Sequence, residues 1–335
     1  MLRRTLMNAT ALMLGGAGAV RAQQPAALTA LKPADFPTRP IEFVVTFPPG
    51  GGMDIAARIL ARHVERISGH RVIVTNRTGG SGMVAHAFLA RQAPADGYTV
   101  GVIANGIFSD SLLRSEGRWS HADLAPIAFI NTDPISWIVG TRGPLAGLNL
   151  RQILDLAHER PGTLRVASRP QGPAEFLIEQ VEARTRGRFV RFPVQGNAPG
   201  VTALVGGHVE IATAFYSEYR GQLEAGLVRP VAVTGASRAH NMPDVPTFNE
   251  TLGTSDILWS AWRFVVVPKA TPADRQRYLE ALIYAALREP AAIEEFARTG
   301  AVLDNSLPDA AAVRREATQM AEAERAFYRQ TGRLP

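Results

Sequence analysis

The chain has 335 residues, of which 46% are hydrophobic and 20% are charged, so it can bury the core of one large or two medium domains. It contains no cysteine, which excludes disulfide frameworks, thiolate metal sites and cysteine nucleophiles. The formal net charge of +6 comes without a basic run or interleaved aromatic residues, which argues against a nucleic-acid partner.

The first 22 residues have the pattern of a cleavable signal peptide. Arg3 and Arg4 form a basic start, residues 6–20 are apolar or small, and residues 20–22 fit a cleavage site. The paired arginines leave both general secretion and twin-arginine export open. No later apolar run has transmembrane length, so we expect an exported mature protein.

A glycine-rich loop follows the first predicted strand, residues 41–46. The loop is F-P-P-G-G-G-M-D at 47–54, and it leads into an amphipathic helix over residues 55–67. Glycines let backbone N–H groups turn toward a ligand, and a helix N-terminus favours an anion. The loop lacks the motifs of a nucleotide P-loop or a dinucleotide fingerprint. We therefore expect a backbone site for a small anion such as a carboxylate, with Asp54 capping the helix.

Two more predicted strands complete a parallel βαβαβ unit. The strand at 71–75 precedes a second glycine loop, G-G-S-G at 79–82, and the strand at 98–104 precedes Asn105 and Gly106. The carboxyl ends of parallel strands meet at one edge of the sheet, where open α/β sheets bind ligands. The two glycine loops should therefore lie side by side.

A second unit of the same architecture is predicted over residues 164–214, and the chain is predicted to be helical after Pro268. Apolar runs at 135–140 and 264–267 are expected to carry the chain between the two units. The predicted boundaries are 36–141 with 262–335 for the first lobe and 142–261 for the second. Two α/β lobes joined by two crossings predict a hinged cleft that closes on a ligand.

Short motifs recur in a fixed order along the whole mature chain. They are R-P-I at 39–41, F-P-P-G-G-G with Asp54 at 47–54, N-R with G-G-S-G at 76–82, D-G-Y-T at 96–99, D-L-A-P-I-A at 123–128, Gly196 with G-G-H-V-E at 206–210, P-D-V-P-T at 243–247, and W-R before P-K at 262–269. Each is weak alone, but the ordered set resembles the Bug receptors, the extracytoplasmic solute-binding proteins of tripartite tricarboxylate transporters.

The resemblance implies a two-lobed periplasmic binding protein of the Venus-flytrap, type II-like class, each lobe a mostly parallel sheet flanked by helices. It implies capture of a small organic acid, either a di- or tricarboxylate or an aromatic carboxylate, for the membrane subunits of such a transporter. In the family, the loops that match 47–54 and 79–82 clamp a ligand carboxylate, largely through backbone amides and water. A ligand-sensing partner of a periplasmic sensor kinase is the alternative. We expect a monomer.

The second lobe departs from the family pattern in the loops expected to select the ligand. The loop at 168–175 has no histidine, and Val194 and Gln195 stand where an aromatic residue and a lysine are usual. In the first lobe, Met53 replaces a small polar residue. Arg169 fits either a bidentate contact with a second ligand carboxylate or an ion pair within the protein. Arg263 is expected to be structural.

The predicted ligand-binding residues come from the strand-end loops of both lobes. They are Phe47, Pro48, Gly50, Gly51, Gly52, Met53, Asp54, Gly79, Gly80, Ser81, Gly82, Asn105, Gly106, Ser168, Arg169, Gln171, Gln195, Gly196, Asn197 and Tyr216. The seven histidines lack paired metal-ligand spacing, and no nucleophile or acid–base pair emerges. We therefore expect no metal, no cofactor and no enzymatic activity.

Overall fold

A computed structural model describes residues 26–170 and 172–335. The predicted signal peptide, residues 1–22, and the predicted site residue Gln171 lie outside the described residues. In chain order the helices and strands are α1 (Ala26–Leu31), β1 (Ile41–Val45), α2 (Gly52–Ser68), β2 (Val72–Asn76), α3 (Met83–Arg91), β3 (Thr99–Ala104), α4 (Gly106–Ser109), β4 (Leu124–Pro134), β5 (Ser136–Gly140), α5 (Leu150–Glu159), β6 (Leu164–Ser168), α6 (Pro173–Thr185), β7 (Phe189–Pro193), α7 (Asn197–Val205), β8 (Ile211–Ala214), α8 (Tyr216–Glu224), β9 (Val228–Val233), α9 (Phe248–Leu252), β10 (Ser260–Pro268), α10 (Ala273–Leu287), α11 (Pro290–Arg298) and α12 (Ala310–Gln330).

The strands form two five-stranded sheets of the same design. The first has the order β2-β1-β3-β10-β4 and the second the order β7-β6-β8-β5-β9. In each sheet three neighbouring strands are parallel, and one further strand, β10 in the first sheet and β5 in the second, pairs antiparallel with both its neighbours. The prediction of two mostly parallel α/β lobes is confirmed.

The chain crosses between the sheets twice. Strand β4 ends at Pro134 in the first sheet and β5 begins at Ser136 in the second, so Ile135 makes the first crossing. The return crossing ends at Ser260, where β10 begins. These crossings correct the predicted positions: residues 136–140 pair inside the second sheet and residues 264–267 inside the first. An apolar run marks a buried strand but does not say which sheet it joins.

Helices cover both faces of each sheet, as parallel strand connections require. In the first lobe, α2 and α10 bury one face and α3 and α12 the other. In the second lobe, α5 and α6 cover one face and α7 and α8 the other. No described helix combines the length and the apolar character needed to cross a lipid bilayer. This layering leaves the carboxyl ends of the parallel strands facing the gap between the lobes.

Candidate ligand-binding cleft

A cavity of about 80 Å³ lies between the lobes, at the carboxyl ends of the parallel strands. That volume has room for several water molecules or for part of a small ligand. The lining residues are Phe47, Pro48, Gly51, Met53, His86, Ala104, Asn105, Gly106, Ile135, Arg169, Ala174, Gly196, Asn197, Ala198, Pro199, Phe215, Glu218, Trp259, Ala261 and Arg263. The walls are largely apolar, and the ionisable side chains are those of Arg169, Arg263, Glu218 and His86.

The first glycine loop already holds a carboxylate, and that carboxylate belongs to the protein. The N–H of Gly52, the first residue of α2, donates a 3.0 Å hydrogen bond to Oε1 of Glu218 in the second lobe. Gly50 adopts φ = +81°, a left-handed conformation that favours glycine and turns the loop into the helix. The loop therefore donates to a carboxyl group of the protein itself, and its contact with a ligand carboxylate stays a prediction.

Glu218 is a site residue that the sequence analysis missed. Its Oε2 accepts a 2.9 Å hydrogen bond from the N–H of Phe215, and the Asn197 side chain also bonds to the carboxylate. Burial raises the pKa of Glu218, although these hydrogen bonds and the Arg263 charge oppose the rise. Its position in the sequence could have indicated this role, because Glu218 lies in the first turn of α8, directly after the end of strand β8.

Asp54 does not cap α2 as predicted. The N-cap residue is Gly51, and Asp54 lies in the first helical turn. Its carboxylate accepts hydrogen bonds from the N–H of Gly50 at 2.9 Å, from Arg58 Nε at 3.0 Å and from Asn76 Nδ2 at 3.0 Å. Burial alone would raise the pKa of Asp54, but these bonds outweigh it and lower the pKa. Asp54 thus stabilises the glycine loop by accepting a hydrogen bond from Gly50, and it does not line the cavity.

The second glycine loop joins the two lobes instead of lining the cavity. Gly79, Gly80 and Gly82 have positive φ, and so does Ser81 at φ = 56°. The Ser81 N–H donates to Oε1 of Gln195 at 3.0 Å, and the Ser81 carbonyl accepts from Arg169 Nη1 at 2.6 Å. The amide expected for a ligand therefore bonds to a side chain of the second lobe.

Arg169 makes the ion pair within the protein that was one of its two predicted roles. Its Nη1 lies 3.4 Å from Oδ1 of Asp110, which is 0% exposed. Asp110 also contacts His86 Nδ1 and Arg114 Nη1, each at 2.8 Å. Burial acts to raise the pKa of Asp110, but the His86 hydrogen bond and the arginine charges lower it. Because Arg169 also lines the cavity, its ligand contact stays a prediction.

Arg263 lies at the base of the cleft, beneath Gly52. It is 1% exposed, its Nη2 is 2.8 Å from Oδ2 of Asp133, and its Nη1 donates to Asn131 Oδ1 at 3.3 Å. A Cβ at Gly52 would come within 2.8 Å of Arg263 Nη2, so only glycine leaves room for the guanidinium. Burial raises the pKa of Asp133, and the Arg263 charge opposes that rise.

Tyr216 and Ser168 do not reach the cavity. A Cβ at Gly300 would lie 1.9 Å from Cδ1 of Tyr216, which places the tyrosine ring directly over Gly300 in the first lobe. Its chain neighbour Phe215 lines the cavity instead. Ser168 is buried, and its hydroxyl has no hydrogen-bond partner among the described residues.

About half of the predicted site residues line the cavity. These are Phe47, Pro48, Gly51, Met53, Asn105, Gly106, Arg169, Gly196 and Asn197. The other described ones stand behind the cavity or join the lobes: Gly50, Gly52, Asp54, Gly79, Gly80, Ser81, Gly82, Ser168, Gln195 and Tyr216. Among the described residues, no cluster of His, Asp or Glu side chains could hold a metal ion.

Two α/β lobes, two crossings and a cavity at the strand ends define a solute-binding receptor of the periplasmic type. Residues 56–327 match the family model described as "Tripartite tricarboxylate transporter family receptor". The chain belongs to this family, whose members are periplasmic binding proteins and not enzymes.

Relatives and solved structures agree with this assignment. Protein BugT of Bordetella pertussis is 32% identical over 281 residues, which are 82% of this chain and 84% of that protein. The solved periplasmic binding protein BugD shares the fold, with a TM-score of 0.81, 24% identity and coverage of 89% of this chain and 99% of that one. An R. palustris protein solved with adipate has a TM-score of 0.80, 26% identity and the same coverage.

Proposed function

We propose that this receptor captures a small organic acid in the interlobe cleft and delivers it to the membrane subunits of a tripartite tricarboxylate-type transporter. The ligand class is a di- or tricarboxylate or an aromatic carboxylate. The receptor acts as a monomer in the periplasm, after export through a cleavable signal peptide at residues 1–22.

The observation that carries this proposal is the hydrogen bond from the Gly52 N–H to the Glu218 carboxylate. A backbone N–H at the start of α2 thereby donates to a carboxyl group, the kind of contact expected for an anionic ligand. Arg169 and Arg263 add two guanidinium groups to the same cavity, and guanidinium groups suit carboxylates. The R. palustris relative solved with adipate supports the same chemical class.

A melting experiment on the purified mature protein tests the ligand class. Mono-, di- and tricarboxylates are titrated, and a true ligand should raise the melting temperature progressively, because binding to the folded state stabilises it by RT ln(1 + [L]/Kd). Neutral sugars of similar size are the control. Stabilisation by the sugars with none by any acid would contradict the proposal.

Delivery is tested separately by uptake. Labelled ligand should enter membrane vesicles that contain the transporter subunits only when the loaded receptor is added. Uptake that is equally fast without the receptor would contradict a delivery role.

A further inference from the structure

The donor groups that face the cleft differ in how well they are satisfied. The Gly52 N–H and the Ser81 N–H already donate to Glu218 and Gln195. Arg169 Nη1 already contacts the Ser81 carbonyl and Asp110. Arg263 and His86 are the exceptions, because Arg263 Nε, Arg263 Nη2 and His86 Nε2 make no well-directed hydrogen bond to any described residue. Of the two side chains, only Arg263 carries a permanent positive charge.

Guanidinium N–H groups that are buried without a hydrogen-bond acceptor reduce the stability of the folded protein. Arg263 is 1% exposed, and each buried donor left without an acceptor costs about 1–3 kcal/mol. Natural proteins keep few such groups, and each one calls for a specific explanation. Arg263 also lines the cavity, so an acceptor that enters the cleft can meet it.

The neighbours of Arg263 fix the position of its guanidinium group but do not accept hydrogen bonds from all of its N–H groups. Asp133 Oδ2 lies 2.8 Å from Nη2, and the Phe215 ring centre lies 4.7 Å from the guanidinium carbon. Asp133 stands just before the first crossing, and Arg263 stands just after the second. The guanidinium is therefore held where the two crossings meet the glycine loop.

The charges around the cavity limit how many negative groups a ligand can bring. Arg169 and Arg114 both pair with Asp110, Arg263 pairs with Asp133, and Glu218 adds a third carboxyl group, so three arginines already face three carboxyl groups. A ligand with two or three carboxylates would place its extra charges near these groups without a surplus of cations. Like charges repel more strongly in a cleft shielded from water than in bulk solvent.

The rest of the wall suits an apolar ligand body. Phe47, Met53, Phe215, Trp259 and Ile135 all line the cavity and come from both lobes and both crossings. Burial of apolar ligand surface against such side chains is favourable.

We propose that Arg263 anchors the ligand through its carboxylate, and that the ligand carries this single carboxylate on an apolar or aromatic body. The inference rests on the proposed function, because it names the anchoring residue and narrows the class of acid. Arg263 donates to the carboxylate, Phe215 and Trp259 contact the apolar body, and Glu218 disfavours a second carboxylate.

Matched acids test the ligand class on the unmodified protein. Benzoate is compared with terephthalate, and hexanoate with adipate, by titration calorimetry. We expect each monocarboxylate to bind at least about tenfold more tightly than its dicarboxylate partner. Equal or tighter binding of the dicarboxylates would overturn the single-carboxylate assignment.

Substitutions test the anchor. Arg263→Gln with Asp133→Asn removes both buried charges together, so no uncompensated ion remains, and it should weaken binding of the best monocarboxylate at least about tenfold. Arg263→Lys keeps a cation opposite Asp133 but loses the Nε donor, so it should also weaken binding while the protein stays folded. Arg275→Gln, which removes an arginine paired with Asp35 outside the cavity, should leave the affinity unchanged.

The outcomes separate this inference from the proposed function. If no acid binds the unmodified protein, the proposed function fails. If acids bind and both Arg263 variants bind them as tightly as the unmodified protein, the function stands and the Arg263 anchor is wrong. Circular dichroism and urea unfolding of each variant establish that a loss of binding is not a loss of fold.

Discussion

Gly52 is the residue at which the two lobes and the cleft meet. Its N–H bonds to Glu218 of the second lobe, and its missing side chain leaves space for the guanidinium of Arg263. A Cβ at this position would lie 2.8 Å from Arg263 Nη2 and 3.0 Å from Ser217 Oγ. The absence of a side chain at Gly52 therefore lets a backbone donor and a buried cation lie close together.

Gly52→Ala should lower the free energy of unfolding by about 1–3 kcal/mol, because the new methyl group overpacks the space beside Arg263. It should also weaken acid binding, since the guanidinium must move. Urea unfolding and calorimetry measure the two effects.

Gly221→Ala is the matched control for this substitution. A Cβ at Gly221 meets nothing within 4 Å, and the residue lies inside α8, so alanine should stabilise by about 0.5–1 kcal/mol. A Gly52 variant as stable as the Gly221 variant, and with full affinity, would contradict the close approach at Gly52.

At the scale of single residues, sequence patterns located several functional residues but did not show which distant residues they contact. The glycine loop and Arg169 could be located because a strand-end motif is local. Glu218 and Arg263 could not be assigned to the cleft, because their partners Gly52 and Asp133 lie more than a hundred residues away along the chain. Only the packing of one lobe against the other brings these groups together.

Among the elements, α12 carries a half-buried carboxyl group, Glu324, whose raised pKa links stability to pH. Burial raises the pKa of Glu324 to about 8, with Tyr328, Arg169 and Asp110 as its nearby polar and charged groups. The ordinary pKa of a glutamate is about 4.3. At a pH between about 4.3 and 8, Glu324 is therefore protonated in the folded protein and ionised in the unfolded chain.

The contribution of Glu324 to stability should therefore fall as the pH rises from about 5 to 8, with a slope of up to about 1.4 kcal/mol per pH unit. Glu324→Gln should remove this part of the slope, because glutamine does not titrate. The measurement is urea unfolding at several pH values.

Glu322→Gln, an exposed position on the same helix, is the control and should keep the slope of the unmodified protein. Identical slopes for the unmodified protein and Glu324→Gln would mean that burial does not hold the proton on Glu324.

The elements themselves were largely predictable. The strands Leu164–Ser168 and Phe189–Pro193 and the helix Ala310–Gln330 fall where their apolar patterns place them. The prediction was wrong about β5, which was expected in the first lobe and lies in the second sheet. A buried apolar strand has the same sequence pattern in either sheet. Its partners β8 and β9 come later in the chain, and periodicity does not reveal strand pairing.

For the whole molecule, direct contacts join the lobes at several places, including Phe176 of α6 against Phe327 and Tyr328 of α12. Besides the bonds at Gly52 and Ser81, Tyr216 of the second lobe packs over Gly300, and Asn241 Nδ2 donates to the Gly300 carbonyl at 2.9 Å. The segment around Gly300 belongs to the first lobe, because its neighbours Phe296 and Ala301 lie in that core. This contact lies outside the cavity and so affects closure separately from ligand chemistry.

Gly300→Ala should hinder closure, because its Cβ would fall 1.9 Å from the Tyr216 ring. In small-angle scattering with saturating ligand, the variant should have a larger radius of gyration than the unmodified protein. Gly332→Ala is the control: Gly332 also has positive φ, so alanine brings a similar backbone strain, but its Cβ would meet nothing within 4 Å. Equal radii for all three proteins would contradict a closing role for the Tyr216 contact.

The central claim, that the cleft is built for a small carboxylate, is tested most directly by native mass spectrometry of the gently purified mature protein. We expect a retained small organic acid in the unmodified protein, identified by its mass after release, and its loss in the variant that combines Arg263→Gln with Asp133→Asn. A neutral sugar or a cationic molecule as the retained ligand would contradict the account.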